Sequence, residues 1–73
     1  SMKVDNPKVG DLVRFVHNPG RPRLGVITKL EEAETKETPL RFLRLIATVF
    51  LFKPAMSLTV NADWLTKAED EGV

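Results

Sequence analysis

At 73 residues the chain has room for one domain, and a domain of this size buries only about 60% of the surface that its unfolded form exposes. The absence of cysteine excludes disulfides and thiolate-zinc sites, and a formal net charge of +1 singles out neither an acidic nor a basic partner. With no run of 18 apolar residues and no basic-then-apolar leader, neither membrane insertion nor export is expected, and cytoplasm is the default location.

Charge is distributed in blocks. Residues 1–30 carry six Lys or Arg against two Asp, and residues 31–37 carry four Glu against one Lys. Residues 38–67 are basic again, with four Lys or Arg against Asp63, and the last six residues are acidic. A fold that gathers the first and third blocks on one side would create a basic patch.

Ser1, ahead of Met2, reads as a remnant of an expression tag, and residues 2–8 as a lead-in with a turn signal at Asn6-Pro7. The domain is expected over residues 9–69, with 70–73 a frayed tail. After Gly10-Asp11, the run Leu12-Val13-Arg14-Phe15-Val16 has the β-branched and aromatic content of a strand. His17 to Leu24 holds two prolines and a glycine and reads as a turn, and Gly25 introduces a second strand, Val26 to Leu30. A hairpin alone is marginal in water, so later segments must close over it. EEAETKET, residues 31–38, lacks an apolar anchor and is expected to be a solvated loop.

Residues 40–52 fit two templates. Arg41, Arg44 and Thr48 would share one helical face, with Thr38 as cap and Pro39 at the first helical position. The second half has strand composition, and Ser57-Leu58-Thr59-Val60 alternates in polarity across a short turn from it. The spacing therefore predicts a strand over 46–52 paired with 57–60, and leaves 39–45 as strand or helical turn. Asn61 to Leu65 is expected to be a single helical turn capped by Asn61, followed by a last short strand over 66–69; a rival reading runs one helix from Ala62 to Glu71.

The pattern Gly10-Asp11-x-Val13, Gly20 and Gly25-x-Ile27-x-x-Leu30 is similar to the KOW-type opening of ribosomal and transcription-elongation proteins. It also resembles the start of short, uncharacterised bacteriophage and cyanobacterial proteins with SH3-like barrels. Val49 to Phe52, Ser57 to Val60 and Asn61 to Leu65 resemble the closing strands and one-turn helix of such barrels. The resemblance implies a mostly β fold: a small SH3-like five-stranded barrel with one short helical turn near the C-terminus. Barrels of this type bind RNA, DNA, peptides or sister subunits, so the likeness leaves function open.

Nothing in the chain resembles a catalytic constellation. His17 has no Cys partner, Ser57 lies in strand-like surroundings, and Asp11 beside Gly10 reads as a turn residue. No phosphate loop or metal-ligand spacing occurs, so neither enzyme activity nor a metal or other cofactor is expected. Two interaction sites are. His17, Arg21 and Arg23 on a proline-stiffened loop, flanked by Arg14 and Lys29, form a candidate nucleic-acid or anion site of weak sequence selectivity. Phe15 and Trp64 suit core roles better than base stacking. Leu40, Phe42, Leu43, Leu45, Phe50 and Phe52, with Ile46, exceed what one small barrel can hide, so a contact with a second copy is expected; a helical lid formed by 40–46 is the competing arrangement. The functional expectation is a non-enzymatic, self-associating module with an unnamed protein partner, and the alternative is a nucleic-acid-binding accessory protein.

Overall fold

The computed structural model describes residues 6–16, 21–35 and 42–68. They form one antiparallel sheet of five strands: β1 (Leu12–Val16), β2 (Pro22–Thr35), β3 (Phe42–Phe52), β4 (Ala55–Asn61) and β5 (Leu65–Lys67). The strand order is β4-β3-β2-β1-β5, which leaves β4 and β5 at the two ends. A 3-10 turn, Ala62–Trp64, joins β4 to β5 and is the only helical element among the described residues.

One turn sets the entrance to β1. The Asp11 amide bonds to the Lys8 carbonyl at 3.0 Å, and the Asp11 carboxylate accepts from the Lys8 amide at 2.9 Å. Gly10 occupies the third position of this turn at φ +99°, a conformation in which a Cβ would be strained. Asp11 is a turn residue, as its place beside glycine predicts. The Gly10 amide then donates to the Ile27 carbonyl, which ties the lead-in to β2.

β2 is the spine of the sheet. Its first half pairs with β1, from Val16 opposite Pro22 to Leu12 opposite Val26. Its second half pairs with β3 out to Thr35 opposite Phe42. Gly25 and Val26 are flanked on both sides. A bulge at Thr28, between Ile27 and Lys29, shifts the register where β2 leaves β1 behind.

This spine corrects two expectations. Residues 31–35, read as part of a solvated loop, are strand: Glu31, Glu32 and Glu34 find backbone partners along β3, and a ribbon of charged residues is stable once its ladder is paired. β2 also begins at Pro22, inside the stretch read as a turn, because the first residue of a strand is where proline's missing N–H costs least. The choice left open at 39–45 resolves to strand from Phe42; residues 39–41 lie outside the described residues, as do 36–38 of the expected loop. β4 is longer than 57–60, running from Ala55 to Asn61, and β5 ends at Lys67. The long C-terminal helix is excluded: Asn61 caps a single 3-10 turn, its side chain accepting from the Asp63 amide at 2.9 Å.

The core follows from period-two alternation. Val13 and Phe15 of β1, Ile27 of β2, and Ala47, Val49 and Leu51 of β3 point inward with Val60, Ala62 and Leu65. Leu30, Leu45 and Leu58 pack against this cluster at its margins. Three of the ten buried apolar residues among the described residues are alanines, so the described core is thin. Trp64, expected inside, is 61% exposed, because the neighbouring inward places are filled by Ala62 and Leu65.

Candidate functional site

The strands present two surfaces with different chemistry. On the outer face, Leu12 and Val16 of β1, Leu24 and Val26 of β2, and Phe50 and Phe52 of β3 alternate with the buried residues. Leu12 stands opposite Val26, and Val26 opposite Phe50. Phe50 and Phe52 meet edge to face with centroids 5.9 Å apart. Leu12, Val16, Leu24 and Phe52 are exposed, and Val26 and Phe50 are half-buried. Around this apolar centre lie Arg14, Thr48, Thr59 and the ion pair of Lys29 with Glu31, whose N–O distance is 3.1 Å.

The candidate self-association set is therefore divided. Phe50 and Phe52 belong to the outer face. Leu45 lies at the core margin and Leu43, although 69% exposed, has the inward parity of β3. Phe42 begins β3, and Leu40 lies outside the described residues. The outer face also includes Leu12, Leu24 and Val26. No sequence signal in 40–52 points to them; they become legible once each strand's inward set is known.

The candidate basic set is divided too, and His17 lies outside the described residues. Arg14 faces outward from β1, and Lys29 is engaged by Glu31. Arg23, expected on a projecting loop, stands in β2 at an inward register position opposite Phe15, and its Nη2 donates to the Pro54 carbonyl at 3.3 Å. Arg21 does remain near it. Together with Pro22, Leu24, Phe52, Lys53 and Pro54, the two arginines line an open cleft of about 760 Å³. Lys53, from the two-residue β3–β4 turn whose Lys53–Pro54 peptide is cis, is a third cation there, and no acidic residue among the described residues lines the cleft.

A second cleft, of about 390 Å³, opens between β4, at one end of the sheet, and the Phe15 end of β1. Its walls are Phe15, Arg23, Met56, Leu58, Thr59, Val60 and Trp64. Among the described residues Arg23 is its single charged lining residue, and the Arg23 Nε is buried without a hydrogen-bond partner.

Fold and surfaces together define a small five-stranded antiparallel β protein with an apolar outer face. No family model, no curated protein and no solved structure matches the chain. Among the described residues no helix is long and apolar enough to cross a membrane.

Proposed function

We propose that this protein is a non-enzymatic interaction module of SH3-like type that associates with a second copy of itself through the outer face of β1, β2 and β3. The strand order and the single 3-10 turn between β4 and β5 support the SH3-like reading. A cytoplasmic location belongs to the same proposal and is compatible with the cysteine-free composition.

The observation that carries self-association is the continuity of Leu12, Leu24, Val26, Phe50 and Phe52 across three adjacent strands, with a polar rim bearing both charge signs. An apolar centre and a polar rim are the anatomy of an interface. A rim with both signs is suited to meet its own copy across a two-fold axis. The thin core adds a reason: covering this face supplies burial that a 73-residue chain lacks on its own. Gel filtration with light scattering is the test. A dimer that reverts to monomer in the Leu24→Asp/Phe52→Asp double variant is the expected result. A clean wild-type monomer at high micromolar concentration rejects the reading.

The three cations of the larger cleft favour a second reading, a weak nucleic-acid-binding accessory role. Arg21, Arg23 and Lys53, with no acid among the described lining residues, would hold two or three phosphates, and a salt slope of roughly −1.4 to −2 on a single strand follows. Titration of labelled single-stranded nucleic acid at low and moderate salt tests it. Absence of binding at low salt, or binding unchanged in Arg21→Ala/Lys53→Ala, removes it.

A further inference from the structure

We infer that the cleft between β4 and the Phe15 end of β1 is a docking site for an extended peptide segment of another protein, added as a strand along the edge of β4 that no described strand pairs and carrying an acidic side chain to Arg23.

Three observations converge there. The first is the edge itself. β4 is hydrogen-bonded to β3 on one side, and among the described residues no strand pairs with its other side. Its seven residues, Ala-Met-Ser-Leu-Thr-Val-Asn, pair with β3 in unbroken register from Phe52 opposite Ala55 to Ile46 opposite Asn61. They include no charge, no proline and no bulge, the devices that ordinarily keep an edge strand from pairing. An edge without them is a template for one more strand.

The second is the groove beside that edge. Met56, Leu58 and Val60 are the inward side chains of β4, and with Phe15 and Trp64 they wall the smaller cleft. Met56 and Trp64 remain exposed. In strand addition the backbone ladder supplies affinity, and pockets for alternate side chains supply selectivity. Apolar side chains at every second position of an incoming strand would enter this cleft.

The third is Arg23. An arginine at an inward position, between Gly25 on its own strand and Phe15 across from it, breaks the apolar pattern of the core side. Its Nε has no partner among the described residues, while its Nη2 makes a long bond to the Pro54 carbonyl. Nε and one Nη form a two-donor fork that a carboxylate accepts bidentately. A modest shift of the side chain away from Pro54 would turn that fork into the cleft. No acidic residue among the described residues lines the cleft, so charge complementarity selects an acidic segment.

The experiment is selection of a random heptapeptide display library on the full chain and on Arg23→Met, with circular dichroism confirming that the variant is folded. Wild type is expected to enrich peptides that combine one Asp or Glu with apolar residues at alternate positions, and Arg23→Met to lose the acidic preference. An enriched peptide resynthesised with the acid replaced by its amide should bind wild type at least tenfold more weakly. Amide shifts caused by the peptide should map to residues 55–61 and to Trp64. Failure to enrich any peptide, enrichment without an acidic residue, or shifts confined to the outer face would overturn the proposal. So would a cleft that responds to an oligonucleotide and not to the peptide.

Discussion

Gly25 lies against the Phe50 carbonyl so closely that a Cβ on it would stand 2.5 Å from that oxygen, and 2.8 Å from the Val49 side chain. This glycine sits where β2 is flanked by β1 on one side and β3 on the other, opposite Val13 and Leu51. The absent side chain lets the three strands pack at that crossing.

Gly25→Ala is therefore expected to push β2 off β3. The atom met is a backbone oxygen that no rotamer change can move, so the cost belongs at the upper end of the overpacking range, about 2–3 kcal/mol. For a domain of this size each kcal/mol lowers Tm by about 4–8 °C. Urea and thermal unfolding measure it; a variant within about 0.5 kcal/mol of wild type would refute the close-approach account.

Gly10 is needed for a different reason, and the contrast is itself a test. A Cβ there meets nothing within 4 Å, but φ is +99°. The expected loss for Gly10→Ala is about 1 kcal/mol, from conformation alone. Asparagine tolerates left-handed geometry better than branched residues do, so Gly10→Asn should retain more stability than Gly10→Val. A steric cause would instead rank the variants by size.

Asn61 closes the 3-10 turn by accepting from the Asp63 amide. Asn61→Ala removes that acceptor and should cost about 1 kcal/mol, while Asn61→Asp should cost much less. Denaturant titration of both variants checks the ranking.

The same residues explain what the sequence made legible. The Gly-Asp turn, the alternation of β1 and the capped turn at Asn61 are local, and each is written in a few adjacent residues. The strand identity of Glu31, Glu32 and Glu34 is not local: nothing apolar marks those positions, and only their ladder with β3 makes them strand. The place of Arg23 is not local either, since proline and glycine nearby signal a turn while the pairing of β2 with β1 decides where that turn ends. The outer face was half visible. Phe50 and Phe52 stood out in a greasy run, but Leu12, Leu24 and Val26 join them only through registers across three strands.

The Lys29–Glu31 pair lies on the exposed ribbon, both side chains more than half exposed. Exposed pairs of this kind contribute little, because water screens them and two flexible chains must be held together. Glu31→Gln should change monomer stability by less than about 0.5 kcal/mol. A larger loss in urea unfolding at low concentration would show that the pair matters to the ribbon itself.

Self-association through the outer face has a thermodynamic signature separate from size. A partner that binds only the folded state raises stability by mass action, so Tm should climb with protein concentration. Leu24 and Phe52 are exposed and lie outside the core cluster, so Leu24→Asp/Phe52→Asp should leave the dilute chain folded while abolishing that climb. Calorimetry from low to high micromolar concentration reads both effects in one series. The expected pattern is a rising Tm for wild type, a flat one for the double variant, and convergence of the two on dilution. A wild-type Tm independent of concentration would mean that this face stays in water, and that the thin core suffices alone.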